Sequence, residues 1–153
     1  MNSSKDQKFA YTVTWLMSQG LAWGTFHGEV TMRNIAKSYA AYQQDPNYGP
    51  EIDELLDFSD ASVATMRAKE FEIIRAFMSS QTDRHNTMSA IVVSSKLEYG
   101  LSRMMGGLMS KDAPVDRGVF YTVDEALEWL RPGQADEIRR LRSEQMRLGS
   151  AAE

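Results

Sequence analysis

The 153-residue chain has no cysteine, and this one absence excludes disulfide frameworks, thiolate zinc sites, iron–sulfur clusters and cysteine nucleophiles. A reducing, cytoplasmic setting follows. Histidine is almost missing as well. His27 and His85 are the only two, far apart and outside any spacing that gathers a metal, so no metal site is expected. No long apolar run occurs. The polar start Met1-Asn2-Ser3-Ser4-Lys5-Asp6-Gln7-Lys8 is followed by nothing that reads as a signal-peptide core or an integral membrane segment. Nor is positive charge in excess: 17 Lys and Arg against 21 Asp and Glu leave −4, which argues against nucleic acid as a partner. What is present is the make-up of one soluble globular domain, 42% hydrophobic and 25% charged, long enough to bury a core without staples.

Phe9–Met17 alternates Tyr11, Val13 and Trp15 against Thr12 and Thr14, which predicts a half-buried strand. After the turn signal Ser18-Gln19-Gly20, Leu21 to Val30 continues with Leu21, Trp23 and Thr25 against Ala22, Gly24 and Phe26, completing an opening hairpin. Thr31 is placed to cap a helix carrying Met32, Ile35, Ala36, Tyr39 and Ala40, which ends at the loop Asp45-Pro46-Asn47-Tyr48-Gly49-Pro50. Ile52–Phe58 reads as a short strand and Ser59-Asp60-Ala61-Ser62 as the loop after it.

An amphipathic helix is predicted from Val63 to about Ser80, and the apolar run Met88–Ser94 predicts a strand covered on both faces and central in its sheet. Leu97, Leu101, Met104, Met105, Leu108 and Met109 form the stripe of a further helix with Ser95 as its cap. Gly106-Gly107 costs that helix about 1 kcal/mol per glycine. Gly118–Thr122 reads as a last strand, and Val123, Ala126, Leu127 and Leu130 as a helix stopped by Pro132-Gly133. Beyond it, Ile138, Leu141 and Leu148 form a narrow stripe among arginines, which suits a helix lying over the sheet, pairing with its copy, or fraying. The reading is therefore a flexible N-terminus at 1–8, a domain at 9–131, and a C-terminal helix and tail at 132–153 appended to it. The fold class is α/β, with a mixed, mostly parallel five-stranded sheet opened by a β-hairpin in the order ββαβαβαβα.

With that order, the ending Val119-Phe120-Tyr121-Thr122-Val123-Asp124-Glu125-Ala126-Leu127-Glu128-Trp129-Leu130 resembles the STAS-like superfamily of small bacterial proteins, which share the fold of anti-sigma factor antagonists and are grouped with CRAL-TRIO-type lipid-binding domains. The resemblance implies a non-catalytic protein-interaction or regulatory module. In the antagonists of that superfamily an Asp-Ser-Ser-Gly signature opens the second helix and one serine is phosphorylated. Here the matching positions fall on Thr65, Met66, Arg67 and Ala68, or on Asp60, Ala61, Ser62 and Val63, and neither register keeps the signature. Ser62, Thr65 and Arg67 are nonetheless the candidate regulatory loop, since a phosphate at a helix start would meet the helix N-terminus and Arg67. As helix caps, Ser62 and Thr65 have a plainer use.

No nucleophile, acid–base pair or cofactor cradle is legible, so neither an enzyme nor a bound cofactor is expected. The acids Glu51, Asp53, Glu54, Asp57 and Asp60 are dense, yet strand alternation is expected to place several of them in solvent. Met104, Met105 and Met109 form a candidate apolar ligand or partner face, the basis of an alternative function as carrier or sensor of a small apolar, lipid-like ligand. A protein partner of unknown identity and a homodimer complete the expectations.

Overall fold

Alternation along the first thirty residues builds the hairpin. In the computed structural model, which describes residues 8–62, 87–96, 99–100, 103 and 115–152, β1 (Ala10–Leu16) pairs antiparallel with β2 (Leu21–Glu29) in unbroken register from Ala10↔His27 to Leu16↔Leu21. A 3₁₀ turn, Met17–Gln19, joins them. Gly20 closes it at φ +60°, the left-handed region that glycine enters without steric cost. Thr31 caps α1 (Met32–Gln44) in a reciprocal box: its hydroxyl accepts the Asn34 N–H at 3.2 Å, and the Asn34 side chain accepts the Thr31 N–H at 2.9 Å.

Three parallel strands follow, β3 (Asp53–Ser62), β4 (Thr87–Val92) and β5 (Val115–Phe120), then α2 (Val123–Leu130) and α3 (Ala135–Ala152). The sheet is mixed and five-stranded in the order β1-β2-β3-β4-β5, with only β1 antiparallel to its neighbour. The fold is thus α/β, as the pattern predicts. The helices expected at 63–80 and 97–109 lie outside the described residues, apart from Lys96, Tyr99, Gly100 and Arg103, which are helical.

Period-two alternation sorts the core onto two faces. Toward α2 and α3 point Leu16, Leu21, Trp23, Leu55, Ala90 and Val92, packed on Leu127, Leu130 and Ile138. Toward α1 point Ala22, Phe26, Phe58 and Ile91, packed with Met32, Tyr39 and Tyr42. β2 is consequently buried on both faces. Gly24 is where the first hairpin strand closes down on the second: an added Cβ would meet the Tyr11 ring at 3.1 Å.

Four expectations are corrected. β3 does not end at Phe58 but runs on through Ser59-Asp60-Ala61-Ser62, past a bulge at which Phe58 and Ser59 together oppose Phe26. At the bulge the Asp57 carboxylate accepts the Ser59 N–H at 2.9 Å and its hydroxyl at 2.6 Å, giving that backbone donor a side-chain acceptor. β4 is covered on both faces as expected, but it lies second from the β5 edge and β3 holds the centre. β5 begins at Val115 and stops at Phe120, because Thr122 leaves the strand to cap α2 by accepting the Glu125 N–H at 3.1 Å. Finally, α3 is not an appendix: Ile138 is fully buried in the core it shares with Leu127 and Trp23.

Candidate functional site

The acidic cluster is the first place to look for chemistry, and its members are spent on architecture. Asp53 forms an ion pair with Arg131 at 2.8 Å and accepts the Met88 N–H at 2.6 Å. Glu54, 1% exposed, accepts the Ser89 hydroxyl at 2.9 Å, and Asp57 holds the bulge. Of the five acids, several of which are expected in solvent, alternation leaves Glu54 and Asp57 buried. Both lie on β3, inside the sheet, where Glu54 takes the Ser89 hydroxyl and Asp57 the Ser59 N–H and hydroxyl in place of water. Only Glu51 and Asp60 of the five are exposed, with Asp60 at 3.9 Å from His27. Among the described residues no three His, Asp or Glu gather as a metal set.

Beyond the bulge, α3 lays Arg142 across β2. Its guanidinium stands 4.2 Å above the Trp23 ring and donates to the Thr25 hydroxyl at 3.2 Å. Burial lowers its pKa from the usual arginine value, the Asp57 charge offsets this in part, and Arg139 adds to it. Ile138 and Arg142, four apart, thus form the seam of α3 that faces the sheet.

The next seam of the same helix touches the core around Ile138 only through Leu141. Leu141, Gln145 and Gly149, again four apart, form with Met146 one wall of a groove of about 740 Å³. The rest of its lining is Thr12 to Ser18 and Asn47. The groove runs along β1, which among the described residues pairs with β2 alone. None of its twelve lining residues is charged, although every fourth residue of the chain is. The charges of α3 lie elsewhere: Arg140 pairs with Glu137 at 2.7 Å and with Glu144 at 3.2 Å, lowering the Glu137 pKa and raising its own. Met17 and Met146 on the groove leave 51% and 49% of their surfaces in water.

No known family model matches the chain, and no curated protein matches it significantly. The working surface has therefore to be read from the geometry. Of the residues singled out in the sequence, Ser62 is the half-buried last residue of β3, and its carbonyl accepts the Val30 N–H at 2.9 Å. Thr65, Arg67, Met104, Met105 and Met109 lie outside the described residues. Trp129 packs on Phe120 of β5, ring centroids 5.5 Å apart. The groove residues of α3 are what the sequence reading misses. The one signal was the seven-residue stretch Ala-Tyr-Thr-Val-Thr-Trp-Leu, free of charge and proline, which is unusual on an edge strand.

Behind the groove, Tyr11 gives the hairpin a measurable pH response. Burial first, then the charges of Glu54 and Asp45, raise its phenol pKa far above the ordinary value. The unfolded chain releases this proton near pH 10 and the folded chain retains it, so the contribution of Tyr11 to stability is level below about pH 10 and is lost above it. The urea midpoint of the wild type is expected to decline between about pH 10 and 11, and Tyr11→Phe to remove part of that decline. An identical decline in the variant would assign it to other groups.

Proposed function

We propose that the protein is a non-catalytic interaction module of the STAS-like kind, acting in the cytoplasm as a homodimer with a regulatory role, and that its working surface is the groove between β1 and α3. The observation that carries this reading is the uncharged lining along β1, the strand that ends the sheet among the described residues. Strand edges present unpaired N–H and C=O groups, and proteins that recognise extended segments use such edges for affinity and the flanking pockets for specificity. The non-catalytic part draws on the acids and on Arg131, whose polar groups are committed to holding the sheet. A second reading, carriage of a small apolar ligand, draws on the same groove, whose volume falls within the ~300–1,000 Å³ typical of small-molecule sites.

One experiment separates them. A benzophenone amino acid placed at Met146 and photolysed in the host cell is expected to yield an adduct of protein mass, while the same probe at exposed Arg33 of α1 yields none. A small-molecule adduct would favour the carrier. Recovery of unmodified monomer at both sites would count against the groove as a working surface.

A further inference from the structure

We infer that the occupant of the groove is β1 of a second copy, paired antiparallel with β1 about a twofold axis at Val13, so that two five-stranded sheets become one. The inference rests on the interaction-module reading and names its partner and register. Among the described residues β1 ends the sheet, and that edge is the first reason. Edge strands left in water are normally short, charged, bulged or interrupted by proline. β1 has seven residues, no charge, no proline and an unbroken register with β2. It spans roughly 23 Å at the usual rise of a strand. Such a strand is a template for pairing, and its chemistry selects what pairs.

The groove demands an uncharged extended segment, because a charged one would lose hydration among twelve residues that offer no counter-charge. β1 is a segment of that kind. Its sequence is also self-complementary. With Val13 on the axis, Tyr11 stands opposite Trp15 of the partner subunit, Thr12 opposite Thr14 of the partner subunit, and Ala10 opposite Leu16 of the partner subunit. Aromatic pairs and Thr–Thr pairs are among the favoured cross-strand combinations. The period of two keeps Tyr11 and Trp15 on the α1 side and Thr12 and Thr14 on the α3 side in both copies, so each cross-strand pair shares one face. An isologous twofold interface of this kind closes after two copies and leaves no further β1 edge open. The half-exposed Met17 and Met146 border the added strand and lose water when it docks.

The full chain is the material for the test. Wild type is expected at twice the chain mass by sedimentation equilibrium. Thr12→Glu with Thr14→Glu sets like charges opposite each other in both cross-strand pairs and should raise the dimer dissociation constant by at least ~10-fold. Thr12→Glu with Thr14→Lys sets acid against base in the same positions and should keep the dimer. Near-UV circular dichroism checks that both variants stay folded. Independently, Val13→Cys in a chain with no other cysteine should give a covalent dimer on mild oxidation, since cross-strand Cα separations of about 4.5–5.5 Å suit a disulfide. Lys37→Cys on the exposed side of α1 should not. A wild type that is monomeric overturns the inference; adducts of Met146 with a different protein would then keep the interaction module standing. A dimer that survives both acids and resists cross-linking at Val13 overturns the β1 register while leaving homodimerisation intact.

Discussion

Truncation after Gly133 is expected to abolish cooperative folding, not to shed a tail. Ile138 has no exposed surface and packs with Leu127, Leu130, Leu16 and Trp23, and Arg142 covers the Trp23 ring from the same helix. Removing α3 would open that face of β1 and β2 to water and leave the apolar side of α2 half-covered. The point variant Ile138→Ala isolates the packing contribution. A buried isoleucine truncated to alanine costs about 3 kcal/mol, the transfer term plus the cavity left behind. Urea denaturation measures it. A truncated chain that still unfolds in one sharp transition at the wild-type midpoint would show that the core closes without α3.

The second large effect is expected at Arg131→Ala, with a loss of about 3 kcal/mol, in the range for breaking a buried ion pair. Four elements meet at this side chain. Arg131 follows α2, pairs with Asp53 of β3 at 2.8 Å, and donates to the Gln19 carbonyl of the hairpin turn at 2.8 Å. Asp53 in turn accepts the Met88 N–H of β4. Both side chains are four-fifths or more buried, so deleting the cation strands a carboxylate where water reaches it poorly. Asp53→Asn should cost less, because the amide oxygen still accepts from Met88. The comparison is Arg139→Ala, which breaks the exposed pair with Asp124 and is expected to cost only ~0–1 kcal/mol. Equal losses at Arg131 and Arg139 would contradict the assignment of Arg131 as the tie between hairpin, β3, β4 and α2.

Much of the fold is legible in the sequence because its signals are local. Alternation in Tyr11-Val13-Trp15 and Leu21-Trp23 names the faces of the hairpin, Thr31 and Thr122 announce helix starts, and Pro132-Gly133 stops α2 with Gly133 at φ +77°. What is not legible depends on partners distant in the chain. Ser59 to Ser62 have the composition of a loop, yet past the bulge Asp60 to Ser62 pair with His27 to Glu29 of β2, with Asp57 accepting the Ser59 N–H beside it. Glu54 looks like a solvated acid until Ser89, thirty-five residues later, supplies its donor. The arginines of α3 suggest a solvated helix, yet Arg142 lies on an indole and its neighbour on the same seam, Ile138, is core. The groove joins residues 12–18 to residues 141–149, and no window of sequence contains both walls. Alternation tells which face a side chain takes. It does not tell which strand lacks a neighbour.

The edge of β1 is the centre of the functional reading, and amide hydrogen exchange across Ala10–Leu16 tests it most directly. In an antiparallel pair, alternate residues turn their N–H toward β2 and the remainder turn outward. If β1 is a pairing surface, the outward amides become protected as protein concentration rises through the dimer range, while amides of α1 do not change. If the outward amides of β1 exchange at the rate of open chain at every concentration, and in host extract as well, the edge is not the surface through which this protein works.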